Sequence, residues 1–580
     1  MPPNRDTANA CLRVARLTFF EAEFILKKSI VGLALVVSGP LVHAAEIPSA
    51  GTQLQLVPAA PAPERAAPQL SIQKSDAPAH RASGDAQAIT VNSLHVIDAR
   101  AFPESDLIAT TGFTPGSALT LSNLRDFAAA ITTYYRNHGY FLARAYLPAQ
   151  DIVNGAVTVA VIEGRYGKVV VRNQSSLSDR VASSVLEGLN GGDAIEIAPL
   201  ESRLLQLSDL PGVEVKSTLV PGASVGASDL IVDLAPGRRV SGSLDADNSG
   251  SRYTGANRTG ATVNLNNPFG QGDAATLRVL TSWDGLNYGR AAYRVQLGRS
   301  DVGVAYTALR YDLGKEFASL DAHGSAQIAS LYGRYPLLRS RASNLYAQFG
   351  VDAKKLRDEV GVAASTADKH ATAGLFSLVG DFRDHFAGGG ASAYSLTWTT
   401  GNLELESAAA LGADSATART DGHYRKVVAS FMRIQRITDT YSLYGAVQGQ
   451  LASQNLDVSE KMELGGANGV RAYPEGEAYL DQGYVINVEA RALLPKPFDL
   501  MPGQLQLAGF LDSGTGHLSK TPWSAGENTR TLNGGGLGLS WFDANKFSVK
   551  AYYAHTIGAA PVTAGPSSDS RVWISAVKFF

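Results

Sequence analysis

Cysteine is nearly absent: the 580 residues contain one, Cys11, and it lies in a leader-like N-terminal segment. A chain cleaved after that segment has none, which excludes disulfides, thiolate nucleophiles and cysteine-based metal sites. Net charge is lacking as well, because 51 Lys plus Arg stand against 53 Asp plus Glu for a formal −2. No electrostatic footprint for nucleic acid remains. Long apolar runs are missing too. The run 29–39 falls short of the roughly 20 residues a membrane helix needs, and no later stretch reaches that length. The ten histidines are scattered singly, with no pair spaced to share a helix face as metal ligands, so neither a metal nor another cofactor is expected.

What is present points to an exported, strand-rich chain. Lys27 and Lys28 precede the apolar run, and Val42-His43-Ala44 suits a small-residue cleavage site, so 1–44 reads as a signal segment. Residues 45–86 are rich in alanine and proline, with Pro58, Pro61, Pro63, Pro68 and Pro78 breaking any regular pattern. They are expected to tether rather than fold. Two small α/β modules follow. In 87–164, a strand-like run at 89–97 precedes a helix with Leu124, Phe127, Ala128, Ile131 and Tyr135 at helical spacing, and two more strands close the unit. In 165–236, a strand at 168–171 leads to helices marked by Val181, Val185, Leu189 and by Leu200, Leu204, Leu207, the latter opened by Pro199. Strands at 213–220 and 229–234 complete it.

From 237 to 580 helical periodicity disappears, and segments of about ten residues alternate apolar and polar positions between Gly, Asn, Asp and Ser clusters. This predicts about sixteen antiparallel strands of a transmembrane β-barrel, since closure leaves no unpaired backbone in lipid. Leu443, Val447 and Leu451 should face lipid, whereas Ser442, Gln448 and Gln450 should face the lumen. By the same alternation Asp512 projects inward, as do Glu489 and Arg491. Phe580 closes an apolar-aromatic strand carrying Val572, Trp573, Ile574, Val577 and Phe579, the usual ending of such barrels.

The connection 452–483 is too long for a structureless loop, so it is expected to be functional or folded into the lumen. Its centre reads Gly465-Gly466-Ala467-Asn468-Gly469-Val470-Arg471-Ala472-Tyr473-Pro474-Glu475-Gly476-Glu477. Val470-Arg471-Ala472-Tyr473 resembles the Val-Arg-Gly-Tyr signature on the sixth extracellular loop of TpsB-type transporters, the haemolysin secretion/activation proteins of the BamA-type barrel superfamily. Ala472 stands where the signature has glycine. The resemblance implies that this loop folds into the pore and that Arg471 pairs with Asp512 on the thirteenth strand, with Glu489 and Arg491 extending the charge network. Phe580 would serve as the barrel-assembly signal.

The two modules resemble POTRA domains through 140–148 with Glu163-Gly164-Arg165, and through Asp209-Leu210-Pro211-Gly212-Val213 with Val220-Pro221-Gly222. The resemblance implies an outer-membrane pore with periplasmic POTRA domains. It would capture an unfolded TpsA-type exoprotein, adhesin or haemolysin-like, and export it. The other expected partners are outer-membrane lipid and, during biogenesis, the barrel-assembly machinery. A barrel-assembly insertase of the same superfamily is the alternative reading, and a passive porin fits less well because porins need no tandem periplasmic modules. An enzyme is not expected. Gly222-Ala223-Ser224-Val225-Gly226 fits a serine nucleophile elbow formally, but it joins two strands instead of a strand to a helix. The glycines 534–536 read as barrel-turn residues rather than a phosphate loop.

Overall fold

The structure, a computed structural model, describes residues 47–61, 69–72, 88–496 and 501–580. The expected signal segment 1–44, with Cys11, lies outside them. In the first α/β module, strands β2 (Ile89–Val91) and β3 (Ser93–Ile97) come first, followed by helix α2 (Glu104–Thr111), β4 (Ser117–Leu119), α3 (Leu121–Asn137), β5 (Arg144–Tyr146) and β6 (Ala156–Ile162). Thr120 caps α3 by accepting from the Asn123 N–H while the Asn123 side chain accepts from the Thr120 N–H, satisfying two of the helix's orphan donors. Leu124, Ala128, Ile131 and Tyr135 then share one face and pack on Val157, Val159 and Val161. Helix α2 was not anticipated, because its eight residues bury only Leu107 and leave no apolar stripe to read.

The second module contains β7 (Arg165–Asn173), α4 (Asp179–Val185), α5 (Ile197–Ser208), β8 (Val213–Pro221) and β9 (Ala227–Pro236). Its core joins Val181, Val185, Leu200, Leu204 and Leu207 to Leu219, Leu230 and Val232. Ser224 lies in the turn between β8 and β9. The modules are stitched together where the Ile197 N–H donates to the Gly139 carbonyl and the Tyr140 hydroxyl donates to Glu196 at 3.0 Å.

The remaining chain forms a closed barrel of sixteen consecutive strands, from Val240–Asp247 to Ser570–Phe579. Predicted faces hold where alternation was clearest. Leu443, Val447 and Leu451 point outward, exposed to the lipid side, while Ser442 and Gln450 are buried inside. Several strands are longer than expected. The seventh spans Ser343–Val360 and the eighth Ser365–Asp384, against the expected 344–354 and 373–383, because pairing continues past the membrane band into water, where Lys355, Arg357 and Glu359 cost nothing to expose. Strand thirteen (Gln504–His517) likewise runs on, so Asp512 sits within it and not at its end. The glycines 534–536 lie inside strand fourteen (Thr529–Asp543), not in a turn.

The second module docks on the barrel at the turn between its sixth and seventh strands. Arg339 donates to both oxygens of Asp209 at 2.7 and 2.9 Å, and Arg341 pairs with Glu201 at 3.0 Å.

The expected tether 45–86 needs correction. Residues Ala50–Gln55 form helix α1, with Ser49 as N-cap, and residues Gln69–Ile72 form strand β1, paired with β8. Proline does prevent long elements here, but six helical residues between Pro48 and Pro58 suffice because the lumen supplies partners. Ala50 and Leu54 pack among Leu280, Leu309, Tyr311 and Leu356. Gln55 donates to the Val458 carbonyl at 2.8 Å, and the Ala50 N–H donates to Asp358 at 2.7 Å.

Candidate functional site: a loop locked in the barrel lumen

The connection between strands eleven (Tyr441–Ala452) and twelve (Gln482–Leu494) turns back into the barrel. Gly469 lets it fold tightly, since a Cβ there would lie 2.3 Å from the Gly465 carbonyl oxygen. Val470 and Tyr473 are fully buried and pack with Leu464, Leu480, Phe510 and Leu532. This apolar patch brings Arg471 to the wall.

Arg471 meets Asp512 through two parallel bonds, Nε to Oδ2 at 2.9 Å and Nη2 to Oδ1 at 2.7 Å. Its backbone N–H also donates to Asp512 Oδ2 at 3.1 Å. A planar guanidinium can make this fork and an ammonium cannot. The third edge, Nη1, donates to Glu489 at 2.6 Å, and Glu489 is held in turn by Arg491 at 2.7 Å. Asn487 donates to both Asp512 and the Gly469 carbonyl, at 2.8 and 3.0 Å. The guanidinium carbon stands 3.6 Å from the Phe510 ring centroid, so an aromatic face covers the cation. Thus Arg471, Asp512, Glu489 and Arg491 form one connected network, with two cations against two carboxylates.

Ala472 does not occupy a positive-φ position. Its methyl lies where strand fourteen has Gly534, and a Cβ on Gly534 would come 2.5 Å from it. The glycine of the signature has in effect been exchanged for space across the interface. The Tyr473 hydroxyl donates to the Ala560 carbonyl at 3.0 Å. Trp573 points inward and donates to the Arg471 carbonyl at 2.7 Å, whereas Val572 and Ile574 are half exposed on the outer face. Phe580 is also about half exposed. Its N–H and carbonyl pair with Gly242, next to the five-residue ladder that closes strand one on strand sixteen.

A second anchor was missed. Glu460 of the loop accepts from Lys354 through its carboxylate, which also ion-pairs with Lys426 at 3.1 Å, and through its backbone carbonyl from Lys426 at 2.7 Å, while Asp457 accepts from Lys369 at 3.2 Å. All three lysines are buried on inward positions of strands seven, eight and ten (Gly422–Arg436). Lysine on the lumen face of a predicted strand was the available signal for Lys354 and Lys426. Lys369 fell outside the expected strand altogether.

The sequence model of the haemolysin secretion/activation proteins ShlB/FhaC/HecB matches residues 226–541, and that of the ShlB-type POTRA domain matches residues 89–164. The chain belongs to this family. It is 27% identical over 475 residues to the heme/hemopexin transporter protein HuxB of Haemophilus influenzae strain 86-028NP, covering 80% of this chain and 82% of that protein. To the outer membrane transporter CdiB of Escherichia coli O6:K15:H31 it is 26% identical over 501 residues, covering 82% and 80%. The solved structure of CdiB from Escherichia coli superposes with a TM-score of 0.70 at 20% identity, covering 87% of this chain and 93% of that one. BamA from Haemophilus ducreyi lacking POTRA domains 1–3 superposes at 0.50 and 13% identity, covering 85% and 100%, a likeness of fold alone. The protein is thus an outer-membrane transporter of the two-partner secretion type, with periplasmic POTRA domains and a secreted exoprotein as its partner.

Proposed function

We propose that the loop 452–483 is the gate of this transporter, held in the resting pore by Arg471 on Asp512 and Glu489, and that it moves when the unfolded exoprotein passes. The observation that carries this reading is the three-sided grip on Arg471: every edge of one loop guanidinium is used, and both acceptors belong to strands of the barrel wall. Such a contact fixes register strongly, yet it can be exchanged for water when the lumen fills, because ion pairs lose little once both partners are resolvated. No nucleotide-binding motif occurs in the sequence, so folding of the exoprotein outside the cell supplies the bias for transit.

The test is export itself. Cells lacking the transporter are complemented with it, and its partner exoprotein is followed in the medium, with abundance of other outer-membrane barrels followed in parallel. Appearance of the exoprotein with unchanged barrel levels supports the reading. Restored barrel levels without export would favour an insertase.

A further inference from the structure

The lipid-facing wall of the barrel is not uniform. On strand four (Leu286–Leu297) the outward positions Gly289 and Ala291 are small, and Ala308 of strand five (Ser300–Asp312) lies beside Gly289. Taller side chains stand on both sides. Leu277 and Val279 of strand three (Ala274–Thr281) and Val304 and Tyr306 of strand five are each about half exposed, and Leu277, Ala291 and Tyr306 pair in one row across the three strands. These walls are two strand spacings apart, roughly 10 Å, which admits one or two alkyl chains. The Tyr306 hydroxyl donates to Gln327 of strand six (Ala322–Arg339) at 3.0 Å, drawing the ring away from the trough. A Cβ on Gly289 would meet nothing within 4 Å. The resulting cavity holds about 740 Å³ and extends from Leu244 to Arg310.

At its extracellular end the trough meets polar groups. Trp283, in the turn after strand three, is 78% exposed with a φ of +67°, a left-handed backbone that a bulky residue adopts only where its surroundings impose it. Its backbone N–H donates to Thr281 at 3.1 Å and its indole N–H to Thr259 at 2.9 Å, which holds the ring at the mouth of the trough. Asn287 and Arg310 are paired directly across strands four and five. Lys355 of strand seven pairs with Gln327, which pairs with Ala308. It therefore lies two strands over and two residues along from Arg310, about 12 Å away by strand spacing and rise. Both cations are exposed, and neither has an ion-pair partner among the described residues. Arg357, on the same face, is taken by Glu359 and Asp368.

We infer that this wall binds one phosphorylated glycolipid of the outer leaflet, with alkyl chains in the trough over strand four, a sugar ring against Trp283 and phosphates at Arg310 and Lys355. Charge complementarity selects the occupant: two separated cations match two phosphates at opposite ends of a disaccharide, and a guanidinium grips a phosphate through parallel bonds. The C–H face of a pyranose suits the negative face of an indole. A phospholipid, with one phosphate and no sugar ring, leaves one cation and Trp283 unused. The bound lipid spans strands three to seven and stabilises the folded barrel according to its occupancy. It acts independently of the lumen loop.

The test titrates bisphosphorylated lipid A into the folded full-length transporter in detergent micelles and counts bound molecules by native mass spectrometry. Dephosphorylated lipid A and phosphatidylglycerol serve as comparison probes. One lipid A per barrel is expected to remain bound at concentrations where phosphatidylglycerol does not compete. Arg310→Ala with Lys355→Ala should weaken it about tenfold or more, and removing both phosphates from the lipid should weaken binding to the parental chain equally. That second arm tests the charge pairing even if the double variant fails to fold. Gly289→Leu, which fills the trough where space is open, should weaken binding several-fold. Arg425→Ala, exposed on strand ten outside the site, should leave it unchanged. Equal binding of phosphatidylglycerol, or indifference to both the phosphates and Gly289→Leu, would reduce the lipid to a nonspecific annulus and overturn the inference. A loss in Arg425→Ala as large as in the double variant would trace binding to net surface charge and overturn it too.

Discussion

The POTRA modules and the lumen loop belong to the same transporter, but they are held by opposite physics. The first module closes over Ile131, Tyr135, Leu107 and Val157, all fully buried, with one inner carboxylate, Glu163, that is fully served. It accepts from the Arg100 and Ala101 N–H groups at 2.6 Å each, from the Tyr135 hydroxyl at 3.1 Å and from Arg165 at 2.6 Å. The loop instead rests on a small apolar patch and a ring of ions: Arg471, Asp512, Glu489 and Arg491 on one side, Glu460 and Asp457 with three lysines on the other. Apolar cores resist opening because the alternative is exposed hydrocarbon. Buried ion pairs have an alternative partner as soon as water reaches them. The difference suits a periplasmic domain that must stay folded and a loop that, on the proposed function, must move.

The contrast can be broken at its stronger end first. Ile131→Ala should destabilise the first module by about 2–5 kcal/mol through a cavity that α3 cannot collapse. Amide exchange across residues 121–137 in the intact chain should rise while the barrel's rate stays fixed. At the loop, Gly534→Ala should meet the Ala472 methyl and cost roughly 1–3 kcal/mol by overpacking, lowering the temperature at which the barrel loses its compact gel mobility. Adding Ala472→Gly should recover most of that loss, and no recovery would mean the two residues do not face each other.

The smallest effect concerns pH. Burial opposes ionisation of Glu163, but the two backbone N–H groups, Tyr135 and Arg165 outweigh it and hold the carboxyl below its ordinary value of 4.5. A depressed carboxyl contributes stability that is full above the unfolded value and lost as pH falls through the folded one. Exchange protection in the first module should therefore weaken below pH 4.5, and Glu163→Gln should flatten that dependence.

Much of this was legible in the residues. Period-two alternation located all sixteen strands, because each has one face in lipid and one in water, and it correctly turned Asp512, Glu489 and Arg491 inward. The spacing of Leu124, Ala128, Ile131 and Tyr135 likewise marked α3. What stayed hidden had no local pattern to carry it. The helix Ala50–Gln55 owes its order to partners far along the chain, such as Thr254 and Asp358. Strand β1 exists only against β8. Trp573 sits in the apolar-aromatic last strand with nothing in its surroundings to announce that its indole N–H meets the Arg471 carbonyl. Alternation gives the face of a residue, while the partner on that face comes from tertiary closure.

The central claim is that the charge pairing of Arg471 holds the gate, and its most direct measurement is export by Arg471→Ala, Asp512→Ala and Arg471→Lys transporters at matched outer-membrane abundance. Export is expected to collapse in all three with the barrel still assembled, because a loop that has lost its register on the wall no longer returns to the seated state from which transit starts, and lysine cannot reproduce the fork to Asp512 together with the third bond to Glu489. Normal export by Arg471→Ala would contradict the account, leaving the guanidinium as a passive filler of the lumen.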